Sequence, residues 1–321
     1  MGLRREQFGR LVQPGTIVGT ISPQVQKATG LGPVPVVAVA GHDTASAVAA
    51  VPAATKNFAY LSCGTWSLLG IEASEPIVGE ESFRQNFTNE GGIDGTIRFL
   101  KNICGLWIFE QSRKEFKDVP NDVVSLVSSA ETSSCSAVID PDDPMFSHPE
   151  SMTGAIREYC RATGQEAPVT PADYCRCIFR SLALRCAQML SSLRDFSDHP
   201  IDVLHVIGGG SRNAYLMQQI ANAARIPVIC GPVEGTAMGN ALLQARAAGV
   251  LAASSIREVS AASTEVREFL PGGLVLRFCP ENEPFPGQMW SSLKKRLIQK
   301  SVISSEARSA KSRYLSIINL L

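Results

Sequence analysis

The sequence predicts an α/β fold in which helices cover a largely buried sheet. The first observation is that short β-branched runs alternate with helical segments between residues 203 and 249. The second is a stripe of apolar residues at helical spacing along residues 171–196. The third is that 321 residues with 45% hydrophobic content can bury sizeable cores, in about two domains by length.

In the first half of the chain, the run at 35–40 predicts a buried strand, and polar residues at its end begin a helix near Asp43 or Thr44. Two further strands with a tight turn at Gly64 and Thr65 are expected next. The segments predicted in this half are strands at 57–63 and 66–72, a loop at 87–96, a helix from about 97 to 116 and a surface excursion at 118–150.

The second half shows the alternation most clearly. Pro171 suits the first turn of a long core helix. A strand at 203–207 runs into three glycines, after which Ser211 is expected to cap a helix that ends near 225. A second strand at 227–230 and a helix at 235–249 repeat this unit.

Composition excludes several classes of protein. Thirty basic and thirty acidic residues give a formal net charge of zero, so no global field favours nucleic acid or anionic lipid. No apolar run approaches the roughly 18 to 20 residues of a membrane span, and the N-terminus lacks the apolar segment of a secretory signal. The sequence therefore predicts a cytoplasmic protein without nucleic-acid or membrane partners.

The nine cysteines are predicted to be reduced thiols. Their number is odd, and the sequence contains no C-x-x-C pair. Cys175 and Cys177 would point to different faces of the predicted helix, which argues against zinc and against a redox dithiol. We therefore expect no metal-binding residues.

Three segments are expected along the chain. Residues 1–34 are rich in proline and glycine and are predicted to be connecting structure left from a preceding domain. Residues 35–285 form the main domain. Residues 286–321 carry seven basic residues against the single acid Glu306, which is typical of a solvated helix or a frayed tail.

Gly41-His42-Asp43-Thr44 is the first candidate site, because ligands gather where the strands of open α/β sheets end. Asp43 is interpreted either as a general base that accepts a hydroxyl proton or as a helix N-cap. By itself, His42 is more typical of a structural histidine.

Two glycine-containing turns are the other candidates. The turn at 62–67 can direct backbone N–H groups and hydroxyls at phosphate oxygens, although an ordinary β-turn explains it equally well. The turn at 208–213 allows a ligand close to the backbone. Asn213 occupies the sixth position of the dinucleotide fingerprint, and no P-loop motif occurs, which disfavours dehydrogenases and P-loop enzymes.

Five ordered segments together resemble the FGGY carbohydrate kinases, and within them the branch that phosphorylates L-rhamnulose. The segments are GHDTASA at 41–47, LSCGTWS at 61–67, NFTNEGG at 86–92, KNICGLW at 101–107 and HVIGGGSRN at 205–213. The resemblance covers roughly residues 1–285. It implies an actin-like ATPase fold (ribonuclease H-like), with this chain forming mainly the C-terminal domain of a two-domain sugar kinase. It also implies ATP and Mg²⁺ as cofactors.

The resemblance implies roles for individual residues in transfer of the ATP γ-phosphoryl group to the 1-hydroxyl of L-rhamnulose. Asp43 matches the base that accepts the hydroxyl proton, in a reaction that depends mainly on positioning and charge stabilisation. Asn102 matches a contact with the sugar or with the nucleotide, and we assign it to the sugar. The remaining matches are His42 and Thr44 on the sugar, Thr65 on the ATP phosphates, Glu110 near the nucleotide and Gly209 on the adenosine.

Two departures from the family pattern bear on activity. Glu110 stands where the family commonly has glutamine, and its charge would be unfavourable near phosphates. Residues 1–40 do not supply the phosphate loop of the first domain, so we expect half of the cleft to be missing and the isolated chain to turn over weakly or not at all. The alternatives are an L-fuculose kinase, a non-catalytic binding fragment, and an oxidoreductase suggested by the glycine turn alone.

Overall fold

The computed structural model of the protein describes residues 2–117, 122–252, 255–272 and 275–278. The predicted basic tail at 286–321 lies outside these residues. The strands are β1 (Ile17–Thr20), β2 (Pro35–Val37), β3 (Phe58–Cys63), β4 (Trp66–Ala73), β5 (Thr88–Gly91), β6 (Ile97–Cys104), β7 (Val203–Ile207), β8 (Val228–Cys230), β9 (Val266–Phe269) and β10 (Val275–Phe278). The helices are α1 (Pro23–Thr29), α2 (Asp43–Ala49), α3 (Glu80–Arg84), α4 (Trp107–Glu115), α5 (Val123–Thr132), α6 (Met152–Ala162), α7 (Pro171–Phe196), α8 (Ala214–Ala224), α9 (Gly235–Ala247) and α10 (Ser255–Ser263).

The described residues form one eight-stranded mixed sheet, in the order β10-β9-β8-β7-β3-β4-β6-β5. The β3–β7 and β7–β8 pairs are parallel, and the other neighbours are antiparallel. At the centre, β3 and β7 are almost entirely buried, as their apolar and aromatic content requires. The predicted α/β class, the β3–β4 hairpin and the strand–helix repeat after residue 203 are therefore confirmed.

Helix α7 covers one face of the sheet and is the largest apolar element. Thr170 and Asp173 form a reciprocal capping box at its start, and Pro171 occupies the first turn. Its buried stripe packs into the main hydrophobic cluster with β3, β7 and α8. The structure confirms the predicted core helix at 171–196.

Helices α2 and α9 lie on the opposite face. Val48 of α2 and the following Val51 pack with Phe58 and Tyr60 of β3 in a smaller cluster. The two helices approach at backbone distance, since a Cβ added at Gly239 of α9 would lie 1.7 Å from the carbonyl oxygen of Ser46. A glycine is therefore required at this contact, and α2 is held between α9 and the sheet.

The prediction of a buried strand at 35–40 is wrong. In the structure β2 covers only 35–37 and pairs antiparallel with β1 in a separate two-stranded sheet. Val36 keeps 40% of its surface exposed, and Ile17 of β1 keeps 52%. The local pattern identified a strand correctly, but burial depends on a covering layer, which this ribbon lacks among the described residues.

The predicted helix from 97 to 116 is also wrong in its first half. Residues 97–104 form β6, which pairs along its length with β4 and at its start with β5. The helix α4 begins only at Trp107, after Gly105. The isoleucines and phenylalanine of this segment are compatible with a strand as well as with a helix. The segment forms a strand because it pairs with β4 on one side and β5 on the other.

Two smaller expectations need correction. The predicted surface excursion at 118–150 contains helix α5, and its Leu126 and Phe146 are buried in the main cluster. The N-cap of α8 is Asn213, whose side chain accepts from the Leu216 N–H at 2.9 Å, whereas Ser211 lies in a short 3-10 turn. Helix α6 is an additional element that the sequence pattern did not indicate.

Candidate functional site

The first candidate group lies at the N-terminus of α2. His42 is the N-cap residue and Asp43 is the first helical residue, so the interpretation of Asp43 as the N-cap is wrong. The Asp43 side chain is 70% exposed. Its Oδ1 accepts from the Thr44 N–H at 2.7 Å and lies 2.9 Å from Nδ1 of His42. Thr44 Oγ1 lies 2.7 Å from the same Nδ1.

These three side chains form one cluster with a free carboxylate edge. Asp43 Oδ1 accepts from the Thr44 backbone N–H and lies beside the imidazole, and no hydrogen bond of the described residues reaches its second oxygen. A fixed carboxylate with an open oxygen can accept a proton from a bound hydroxyl. This geometry favours the general-base interpretation of Asp43.

An ion pair between a buried arginine and a partly exposed glutamate lies directly beneath this cluster. Arg98 of β6 is 1% exposed, and its guanidinium binds the Glu90 carboxylate at 2.5 Å. The other terminal nitrogen of Arg98 donates to Thr44 Oγ1 at 2.9 Å. Sequence reasoning missed both residues, because the segment that carries Arg98 was interpreted as a helix. Strand periodicity across 97–104 would have placed Arg98 on the same face as Leu100, beneath α2.

The second candidate group lies at the carboxyl ends of β3 and β7. Their parallel register, with Ser62 opposite Ile207, brings the Gly64-Thr65 turn beside the glycine turn. The N–H groups of Leu106 and Trp107 donate to the carbonyls of this turn at 2.9 and 3.2 Å. The turn is thus fixed by the start of α4, and the Thr65 side chain is exposed beyond it.

The three glycines after β7 have different surroundings. A Cβ on Gly208 would lie 2.9 Å from the Cys63 carbonyl oxygen, and a Cβ on Gly210 would lie 2.3 Å from the Cys63 sulfur. These two glycines are needed for packing within the protein. Gly209 is exposed, and a Cβ there would meet nothing within 4 Å. The backbone at Gly209 is therefore open to a ligand.

Asn102 and Glu110 lie near the second group. Asn102 is exposed on β6, opposite Leu68 and on the same face of the sheet as Trp66. Glu110 lies in the first turn of α4 and forms an ion pair with Arg113 at 2.7 Å. That partner offsets the Glu110 charge, which reduces the expected repulsion of phosphates.

The structure thus brings the candidate residues together in two groups. His42, Asp43 and Thr44 lie over the start of β6. The second group, at the other end of β6, consists of Thr65, Asn102, Glu110 and Gly209. Arg98 and Asn102 are four residues apart on β6, which is about 13 Å of strand.

The thiols near the second group stay protonated at neutral pH. Burial raises the pKa of Cys63 to about 11 and that of Cys104 to about 12. All eight cysteines in the described ranges are free. Those ranges also contain no group of three or more His, Cys, Asp or Glu side chains arranged to hold a metal ion.

A buried histidine lies behind the glycine turn. His205 of β7 is 3% exposed, and its ring meets the edge of Phe58 at a centroid distance of 5.6 Å. Burial, with the nearby charge of Arg257 as a smaller cause, lowers the pKa of His205 to about 4. The imidazole is therefore neutral at physiological pH.

No helix in the described part of the chain has both the length and the apolar content needed to cross a membrane.

Comparison with known proteins gives one family. Residues 59–248 match the C-terminal domain of the FGGY family of carbohydrate kinases. The chain is 54% identical over 252 residues to a rhamnulokinase of Bacteroides thetaiotaomicron, a match that covers 78% of this chain and 51% of the relative. A rhamnulokinase of Pectobacterium atrosepticum is 44% identical over 252 residues, which is 78% of this chain and 49% of that protein. The chain spans about half the length of these curated relatives.

Solved structures show the same fold at low sequence identity. A gluconate kinase from Lactobacillus acidophilus aligns with a TM-score of 0.64 at 12% identity, over 95% of this chain and 60% of that one. A xylulose kinase from the same organism aligns with a TM-score of 0.63 at 14% identity, over 94% and 59%. These similarities confirm the predicted actin-like kinase fold and do not support the oxidoreductase interpretation.

Proposed function

Since this chain belongs to the FGGY family of carbohydrate kinases, we propose that it is the C-terminal part of an ATP-dependent kinase that phosphorylates the 1-hydroxyl of L-rhamnulose. The 54% identity to a rhamnulokinase supports the choice of sugar over L-fuculose. The exposed, fixed carboxylate of Asp43 is the structural observation that carries the proposal. We propose the cytoplasm, where ATP is available, as the location.

In this proposal Asp43 is the general base. Its open carboxylate oxygen accepts the proton of the sugar hydroxyl as the hydroxyl oxygen bonds to the γ-phosphorus of ATP, while the bond between that phosphorus and ADP breaks and ADP leaves. His42 and Thr44 hold the base on one side and offer ring and hydroxyl hydrogen bonds to the sugar. Asn102 is proposed as a further sugar contact from the face of β6.

The second group, apart from Asn102, is proposed to receive the nucleotide. ATP supplies the phosphoryl group, and Gly209 fits its adenosine because the backbone there faces open space. Thr65 is proposed to contact the phosphates from a turn that is fixed by α4, with Glu110 close by and paired to Arg113. Mg²⁺ is proposed to enter with the phosphates, as is usual for kinases.

The experiment is a coupled assay of ADP release with L-rhamnulose and Mg-ATP. We expect Asp43→Asn to abolish any turnover, because the amide cannot accept the proton, while the variant keeps its fold and its ATP affinity. An exposed carboxylate away from both groups, Glu258→Gln, is the matched control. Turnover that survives in Asp43→Asn would refute the role of Asp43.

The assay should be run on this chain alone and on this chain together with the N-terminal half of a rhamnulokinase. The first phosphate loop is not found in residues 1–40, so the isolated chain is expected to be weak or inactive. Adding a protein that supplies the N-terminal half of a rhamnulokinase should restore turnover. Binding of ATP or sugar without turnover, even after that addition, would instead favour a non-catalytic binding protein.

A further inference from the structure

Arg98 is a buried cation with contacts on one neighbouring strand and one helix. It is 1% exposed, and its terminal nitrogens reach Glu90 of β5 at 2.5 Å and Thr44 of α2 at 2.9 Å. A charged group in the interior needs a counter-charge, and Glu90 supplies it. The ion pair explains why Arg98 can be buried. It does not explain why the second nitrogen is directed at α2.

In the hydrogen bond between Arg98 and Thr44, the donor and the acceptor are fixed by chemistry. A guanidinium can only donate, so Thr44 Oγ1 must accept from Arg98. The hydroxyl is thereby held in the rotamer that places it 2.7 Å from His42 Nδ1. The backbone N–H of the same residue donates to Asp43 Oδ1 at 2.7 Å. Thr44 therefore touches both neighbours in the candidate base cluster, and Arg98 holds Thr44 from beneath.

We infer that Arg98 is a positioning residue, which fixes the Thr44 hydroxyl and, through it, the His42 imidazole that lies beside the Asp43 carboxylate. The inference rests on the proposed function of Asp43 as a base. Exposed side chains at the first turn of a short helix otherwise exchange between rotamers on a fast timescale. Since arginine brings two donors in one rigid plane, one nitrogen can bind Glu90 while another holds Thr44.

A second arginine in an ion pair, which is partly buried, provides a control. Arg257 of α10 pairs with Glu72 at 2.5 Å and lies 5.0 Å from the centroid of the Phe58 ring. Glu72 is the neighbour of Arg98 in the β4–β6 register, so both ion pairs belong to the same part of the sheet. Among the described residues, Arg257 forms no ion pair or hydrogen bond with α2. Loss of Arg257 should therefore cost stability without moving the base cluster.

The test is an imidazole ¹H–¹⁵N NMR spectrum of the full chain at one fixed pH. The chain has four histidines, so the signals of His42 can be assigned with a His42→Gln variant. In Arg98→Met we expect the His42 signals to shift towards those of the exposed His148. In Arg257→Met they should stay in place. In a Thr44→Val background, Arg98→Met should produce no further shift.

Arg98→Lys keeps the test decisive if Arg98→Met does not fold. The ammonium group preserves the buried charge beside Glu90, but its single nitrogen cannot also hold Thr44 in the plane of a guanidinium. The fold should survive and the His42 signals should shift as in Arg98→Met. Unmoved His42 signals in Arg98→Lys, or an equal shift in Arg257→Met, would overturn the inference.

Kinetics give an independent readout when both halves of the kinase are present. Arg98→Lys should lower kcat by about tenfold to a hundredfold, as expected for a misplaced catalytic group, while the KM for ATP stays unchanged. The NMR signals decide the role of Arg98 whether or not turnover is seen. A failure of the proposed function is therefore distinguishable from a failure of this inference.

Discussion

Acidification should destabilise the fold through the buried imidazole of His205. In an unfolded chain a histidine binds its proton near pH 6.5, whereas the pKa of folded His205 is lowered to about 4 by burial and by Arg257. Between these values the unfolded state binds more protons. The free energy of unfolding therefore falls as the pH is lowered through this window.

The size of the effect follows from the two pKa values. The linkage relation gives a loss of about 2 kcal/mol between pH 7 and pH 5, and of about 3 kcal/mol by pH 4. This is a large fraction of the stability of a typical domain. Burial explains the loss: the charged ring would lie beside Arg257 and against the edge of Phe58, and its Nδ1 has no hydrogen-bond partner.

The assay is urea unfolding at pH 7 and pH 5, followed by tryptophan fluorescence. His205→Phe removes the titrating group and keeps an aromatic ring against Phe58. The wild type should lose about 2 kcal/mol more than this variant between the two pH values. The comparison cancels the titration of every other group, and the exposed His148→Gln serves as a control that should behave like the wild type. Equal losses in the wild type and in His205→Phe would refute the reasoning.

Two pairs of substitutions test other contacts. Gly209→Ala should weaken ATP binding in a titration while thermal unfolding changes by less than about 0.5 kcal/mol, whereas Gly210→Ala should cost about 1 to 3 kcal/mol because its Cβ would lie 2.3 Å from the Cys63 sulfur. A result in which both glycines behave alike would remove the distinction between ligand-facing and packing positions. Gly239→Ala should destabilise the chain by about 3 kcal/mol, since its Cβ would lie 1.7 Å from the Ser46 carbonyl oxygen. Gly79→Ala, at the exposed start of α3 with an extended backbone and open space around its Cβ, is the comparison, and a smaller loss in Gly239→Ala than in Gly79→Ala would contradict the close approach of α2 and α9.

Much of the fold could be predicted from local pattern. The stripe along α7, the hairpin of β3 and β4, and the repeat of strand and helix after residue 203 were all visible, because periodicity and turn residues agree in each of them. The error at 97–104 has a different origin. That run suits helix and strand, and its neighbours β4 and β5 decide the outcome from other parts of the chain.

The candidate site, like the fold, was predictable where it depends on local sequence and not where it depends on distant parts of the chain. Asp43 follows from a polar motif at the start of a helix, and the glycine turn follows from its position after a strand. The support from Arg98 was not predictable, because it depends on which face of β6 lies under α2. Likewise, nothing local distinguishes the exposed Gly209 from the packed Gly210. That distinction requires the position of Cys63 on the neighbouring strand.

The backbone contact between Gly239 and Ser46 has a consequence for motion. Two helices that touch without side chains between them cannot slide past each other by changing rotamers. If Asp43, the first residue of α2, is displaced together with its helix, α9 must move as well. The Arg246–Asp94 ion pair, at 2.7 Å, also links α9 to the loop that precedes β6. Asp43 therefore belongs to a block formed by α2, α9 and this loop, and under the proposed function any hinge of the kinase would lie outside that block.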